Sequence, residues 1–216
     1  MKVLESAPRR YDRGIRILTC GKLDRAYERL AAYIKRGQLV LDLGCGTGAL
    51  TLMAARRGAH VKGIDVNPQM LEVGRERFQK EGLTEYVELA EMGVAELEAE
   101  RSASYDVVTS GLCLSELSAD ELSYTLREVV RILRPGGLLL VADEARPRNI
   151  LKRVLNGLLR FPLVVITYVI TQTTTRSVED LPGKLRDAGF IVERVRSSWM
   201  ENFVELIARK SGRSGV

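Results

Sequence analysis

A chain of 216 residues, 45% apolar and 28% charged, has enough apolar material for one buried core and reads as a soluble globular protein. Its net charge of +5 is not gathered into a dense Lys/Arg block, which argues against a nucleic-acid face, and no run approaches the ~18 apolar residues of a membrane span. Three scattered cysteines, Cys20, Cys45 and Cys113, argue against a disulfide framework and against zinc spacing; with "MKVLESAPRRYDRG" lacking the apolar core of a signal peptide, they predict a reducing, cytoplasmic setting.

Residues 22–34 read as a helix, with Leu23, Ala26, Tyr27, Leu30 and Ile34 on one face. "QLVLDLG" is a short apolar run stopped by glycines, as a buried strand is, and "ALTLMAARRG" continues as a helix ending at Gly58. "HVKGIDV" predicts a second strand. Asn67-Pro68 supplies an N-cap and a first-turn proline for a helix ending near Gly82. "YVELAEM" and "YDVVTSG" predict strands three and four. Ser118 to Glu121 is a capping box, opening a helix with Leu122, Leu126, Val129, Val130 and Leu133 on one face. "GLLLVAD" is strand five, started by Pro135-Gly136-Gly137. A basic segment, 147–160, leads into "FPLVVITYVITQTTT". Ser177 is expected to cap a helix carrying Val178, Leu181, Leu185 and Ala188. "FIVERVR" and "NFVELIA" then predict two antiparallel strands.

Five alternations of strand and helix predict an α/β fold, a mostly parallel sheet covered on both faces, in one domain spanning 1–216. Within it, 1–37 is expected as an N-terminal helical cap and 144–176 as an insertion.

The chemistry is concentrated in "VLDLGCGTGAL". Gly44, Gly46 and Gly48 allow a tight turn and close approach to a ligand, and the helix that follows points free N–H groups at the same place. The spacing Gly44-x-Gly46-x-x-Ala49 satisfies a dinucleotide fingerprint, and Asp65 follows after about twenty residues, where an acid binds ribose hydroxyls. These features alone fit a nicotinamide dinucleotide and S-adenosylmethionine equally. Asp42, just before the glycines, would oppose a pyrophosphate but suits a cationic ligand. S-adenosylmethionine carries an ammonium and a sulfonium and no phosphate.

"VLDLGCGTG", "GIDVNPQML", "SYDVV" and "RILRPGGLLLVAD", in this order and spacing, resemble the motifs of class I S-adenosylmethionine-dependent methyltransferases. The resemblance implies a Rossmann-like sheet of seven strands with the last antiparallel, and S-adenosyl-L-methionine as methyl donor. It implies that Asp42, Cys45 and the backbone of Gly44, Gly46 and Gly48 hold the methionine end. Asp65 would bind the ribose hydroxyls, with Val66 beside the adenine and Met70 also among the cofactor-binding residues. Met92 and Gly93 would flank the adenine, and Ser110 and Gly111 would pass near the sulfonium. Many relatives place an aspartate after strand three; "AEMGVAEL" departs from this, leaving Glu91 or the backbone for that contact. Tyr11, in a segment that in this fold often closes over the cofactor, is placed to contact it.

Four further stretches, "ESAPRRYDRGIRILT", "EMGVAELEAE", "SGLCLSELS" and "TYVITQTTTRSVEDLP", resemble the corrinoid protein-associated methyltransferases. That implies a corrinoid protein as partner, with a small-molecule methyl acceptor or a corrinoid-protein-linked substrate. Methyl transfer from a sulfonium is an in-line displacement that needs alignment and exclusion of water, and a base only if the acceptor loses a proton. No triad is therefore expected, and no metal. Candidates near the strand ends are Cys113 and Glu116 after strand four and Asp143 and Glu144 after strand five, with Gln172 at the polar tip of a substrate lid over 161–175. His60 lies at the opposite edge and reads as surface. Arg146, Arg148, Lys152, Arg153 and Arg160 precede an apolar run of about ten residues. That composition keeps open a membrane-surface quinone or lipid methyltransferase, without an integral span. A cofactor-binding accessory protein is the non-enzymatic alternative.

Overall fold

The computed structural model describes residues 12, 16, 19, 21–144, 180–198 and 202–212. In chain order these form α1 (Lys22–Ala31), β1 (Leu39–Leu43), α2 (Ala49–Arg56), β2 (His60–Asp65) and α3 (Pro68–Glu81). Then come β3 (Val87–Glu91), β4 (Tyr105–Gly111), α4 (Ala119–Ile132), β5 (Leu133–Glu144), α5 (Leu181–Asp187), β6 (Phe190–Ser197) and β7 (Phe203–Lys210). Short 3₁₀ turns lie at Thr84–Tyr86, Val94–Ala99 and Leu114–Glu116. The lid over 161–175, the basic segment, Tyr11, Cys20, Gln172, Ser177 and Val178 lie outside the described residues.

The seven strands pair in the order β3-β2-β1-β4-β5-β7-β6. β1 runs parallel to β2 and to β4, and β4 parallel to β5. β7 is antiparallel to both β5 and β6, as the sequence predicted for its last pair. Strand direction and side-chain alternation divide the core. Leu41, Leu43, Val108, Leu139 and Val141 face α4 and α5. Val40, Val107, Leu140 and Ala142 face α1 and α2. Fully burying each of these leucines and valines contributes about 1.5–3 kcal/mol, so the two layers hold the sheet from both sides.

The local start signals behave as read. The Asn67 side chain accepts N–H bonds from Gln69 at 3.0 Å and Met70 at 3.4 Å, a cap that contributes about 1 kcal/mol to α3. Ser118 and Glu121 exchange the two bonds of a capping box. His60 is exposed and stacks on Tyr86, with ring centroids 5.4 Å apart.

Two boundaries differ from expectation. β5 starts at Leu133, before Pro135-Gly136-Gly137, because the pairing with β4 absorbs an irregularity between Tyr105 and Val107. α5 starts at Leu181, because Asp180 takes φ 45°, a left-handed conformation that a helix running on from Ser177 could not contain. Strand order reverses between β1 and β4. Beyond the carboxyl ends of those strands the loops after β1 and β4 diverge and leave a crevice, where open α/β sheets bind ligands.

Candidate functional site

The loop after β1 enters this crevice. Gly44 has φ 61°, and a Cβ there would lie 2.7 Å from both Cβ and Sγ of Cys113. The position therefore needs glycine twice over, for its backbone angle and because the loop after β4 touches it. Opposite, at Gly111, a Cβ would lie 2.1 Å from the Tyr27 hydroxyl. Tyr27, 7% exposed, thus roofs the end of β4 from α1.

Two adjoining cavities share Gly44, Gly46 and Gly111. The smaller, about 180 Å³, brings together Asp65, Val66, Met70, Met92 and Gly93 on one side. Leu112, Cys113, Glu116 and Leu117 form the other. Val66 is 71% exposed at its lip, an apolar side chain left open where a ligand would cover it. The larger cavity, about 380 Å³, is bordered by Asp42, Cys45 and Thr47 of the glycine loop and by Tyr27, Arg16 and Asp12 from the N-terminal side. Sequence reasoning thus placed Asp42, Gly44, Cys45, Gly46, Asp65, Val66, Met70, Met92, Gly93 and Gly111 at one trough.

Asp65 does more than its expected role requires. Its Oδ2 accepts the Gly46 N–H at 2.8 Å and its Oδ1 the Asn67 N–H at 2.9 Å. One carboxylate ties the glycine loop to the β2–α3 turn, and its remaining lone pairs can still take hydroxyls.

Asp42 is 2% exposed and is held by the hydroxyls of Thr51 at 2.6 Å and Thr109 at 2.7 Å. Burial pushes its carboxyl up to about 6, against the pull of those hydrogen bonds; Asp65 pushes the same way. The folded protein therefore keeps this proton up to about pH 6, whereas the unfolded chain releases it near 4. Stability declines as pH rises across that interval, by on the order of 2–3 kcal/mol from this group, and the decline is complete above it.

Several candidates are corrected. Ser110 is fully buried with its hydroxyl unpartnered, and borders neither cavity; strand alternation turns it into the core beside Leu43 and Val141. Gly48 carries the ring of Phe78 and caps α2 in a left-handed conformation, away from both cavity walls. Glu144 closes the β5–β7 ladder opposite Phe203 and lines neither cavity. Glu91 is exposed and outside both. Cys113 does face the smaller cavity, but burial and nearby Asp143, Glu116, Asp65 and Asp42 raise its thiol, so it is no thiolate nucleophile. Burial raises Cys45 likewise.

Two contributors had no distinct sequence signal. Asp12 accepts from the Thr47 hydroxyl at 2.5 Å and pairs with Arg77 of α3. Tyr27 is legible only as one apolar position among several. Among the described residues no group of His, Cys, Asp and Glu side chains could hold a metal ion.

A methyltransferase-domain family model matches residues 40–137, the part that builds the trough. The demethylmenaquinone methyltransferase of Tropheryma whipplei is 30% identical over 190 residues, covering 83% of this chain and 75% of that one. This chain belongs to the class I S-adenosylmethionine-dependent methyltransferases. The ubiquinone/menaquinone biosynthesis C-methyltransferase UbiE of Azotobacter vinelandii is 33% identical over 156 residues, 69% of this chain and 60% of that one. The 1,6-didemethyltoxoflavin N1-methyltransferase of Burkholderia thailandensis, solved with S-adenosylhomocysteine, superposes with TM-score 0.69 at 20% identity, covering 97% of this chain and 87% of that one. The methyltransferase uses S-adenosylmethionine as its methyl donor. No helix among its described residues is long and apolar enough to cross a membrane.

The raised Asp42 carboxyl gives this methyltransferase a testable pH profile. A cationic ligand beside it favours the ionised form, so donor affinity should rise about tenfold from pH 5 to 7.5 with a midpoint near 6. In Asp42→Asn the affinity should be weaker and its pH dependence flatter, as read by calorimetric titration across that range.

Proposed function

We propose that this methyltransferase methylates a small, flat ring compound of the demethylated quinone type. The supporting observation is the shared trough, in which a donor side (Asp65, Val66, Met92) faces an opposite wall (Leu112, Cys113, Glu116, Leu117) across the glycine loop. Relatives named for quinone methylation point to the acceptor class. In this reading Asp65 holds the donor's ribose hydroxyls, and Asp42 with the Gly44–Gly48 backbone receives its amino-acid end. When bound, S-adenosylmethionine supplies an electrophilic methyl on a positively charged sulfur. The chain's own contribution is alignment: Gly111 and Tyr27 close one side of the junction between the cavities, and Leu112 and Leu117 exclude water from the other. Glu116, exposed at the wall, takes the proton that a ring carbon or hydroxyl gives up on methylation.

Tritiated-methyl transfer from S-adenosylmethionine to demethylmenaquinone in detergent micelles tests this. Label in the extracted quinone supports it; donor binding without quinone labelling contradicts it. A second reading, a corrinoid-protein-linked acceptor, is favoured by "SGLCLSELS", which resembles the corrinoid protein-associated family and supplies the wall that faces the donor side. Label appearing only when a corrinoid protein is added would select that reading.

A further inference from the structure

Asp143 is fully buried near the end of β5, yet it lines neither cavity. Its carboxylate turns back onto the chain. Oδ2 accepts the Ser115 N–H at 3.1 Å, and Oδ1 the Glu144 N–H at 2.7 Å. Ser115 is the middle of the one-turn segment Leu114–Glu116, flanked by Cys113 and Leu117. Three residues of this loop, Cys113, Glu116 and Leu117, face the smaller cavity, and Cys113 packs on Gly44. The loop is anchored in the core by Leu114, with Cys113 and Leu117 packed against that core. Its own bonds are Glu116 N–H to Cys113 O at 3.1 Å and Leu117 N–H to Leu114 O at 3.4 Å. It is entered through Leu112 at φ 60°, a strained angle for a leucine, anchored by Leu112 N–H to Ala142 O at 2.9 Å. The end of β5 therefore grips the loop twice, at Leu112 and at Ser115. An apolar side chain at 143 would avoid the cost of burying a carboxylate; what the carboxylate adds is the second grip.

We propose that Asp143 is a positioning residue of the methyltransferase site, holding through Ser115 the wall that sets Cys113 against Gly44 and Glu116 on the cavity. The inference rests on the reading of that cavity as the place where donor and acceptor meet. The titratable groups interacting with Asp143 among the described residues are Glu144 on its own strand and Cys113 on the loop. Burial raises its carboxyl to about 6, while the bonds from Ser115 and from the Glu144 N–H pull it back. The ionised form accepts these bonds more strongly than the acid does, so the wall is held more firmly above about pH 6.

The test needs no identified acceptor. Alkylation of Cys113 by iodoacetamide is followed by peptide mass spectrometry, with and without saturating S-adenosylmethionine, alongside calorimetric titration of S-adenosylmethionine. In Asp143→Ala, Cys113 should be alkylated about tenfold faster and S-adenosylmethionine bound about tenfold more weakly. Asp143→Asn should restore most of both, because an amide oxygen can still accept the Ser115 N–H. Wild-type alkylation rate and affinity in Asp143→Ala would overturn the proposal, as would an Asp143→Asn that behaves like Asp143→Ala. Should Asp143→Ala fail to fold, Asp143→Ser against Asp143→Asn decides in the same way: equal rates in both overturn it. Failure of the wild type to bind S-adenosylmethionine, or of S-adenosylmethionine to protect Cys113, would count instead against the reading of the cavity.

Discussion

Gly44→Ala is expected to abolish measurable S-adenosylmethionine binding, even at millimolar ligand, and to destabilise the protein. A left-handed alanine costs about 1–2 kcal/mol. The new Cβ must also displace Cys113 from 2.7 Å, an overpacking cost of roughly 1–3 kcal/mol. Neither partner yields easily. Gly44 is joined to β1, and Cys113 follows the strained Leu112 and is tied down by the turn Leu114–Glu116. The two cavities meet at Gly44, so any displacement there moves both halves of the trough. Gly136→Ala separates the causes. It has φ 75° but no atom within 4 Å of an added Cβ, so it should carry the backbone cost alone and leave binding unchanged. Calorimetry and urea denaturation of both variants read the comparison. Gly44→Ala binding within threefold of wild type would refute the role assigned to the loop.

The second large effect is expected from Asp65→Ala. Two backbone N–H groups, of Gly46 and Asn67, lose a charged acceptor, and the glycine loop loses its link to the β2–α3 turn. Hydrogen bonds to charged groups contribute about 1.5–3 kcal/mol each, and in the proposed function the donor's ribose would lose its partner as well. Affinity should fall by about 2–4 kcal/mol, roughly 30- to 1000-fold. Asp65→Asn keeps one acceptor oxygen and should fall between the two. The intermediate separates Asp65 as a brace from Asp65 as a charge. If Asn binds like wild type, the charge is irrelevant and only the brace remains.

What the sequence disclosed follows from the range of each interaction. The Asn67 cap, the Ser118–Glu121 box and the glycine loop are written within a few residues, so their chemistry is readable in order. The strand succession carried the sheet, down to the antiparallel pair at the end. Errors came where distant elements decide. Pro135-Gly136-Gly137 looks like a strand start, but pairing with Tyr105 extends β5 back to Leu133. Ser110 neighbours Gly111, yet only the alternation phase of β4 shows that Ser110 turns inward while the chain at Gly111 reaches the cavity. Glu144 follows a strand end, as an active-site acid would, but it pairs with Phe203 in the ladder with β7 and lines neither cavity. Asp42 borders the larger cavity, and its position beside the glycine loop was legible. Its raised carboxyl was not, because Thr51 and Thr109 come from α2 and β4. Asp12 reaches Thr47 and Arg77 across long sequence separations that no local pattern encodes.

That one donor spans both cavities is tested most directly by a crystal structure with S-adenosylhomocysteine. The ribose hydroxyls should lie within about 3.2 Å of Asp65, the adenine against Val66 and Met92, and the amino-acid end beside Asp42 and the glycine-loop backbone. A ligand confined to another surface, or bound in the trough with its ribose away from Asp65, would contradict it.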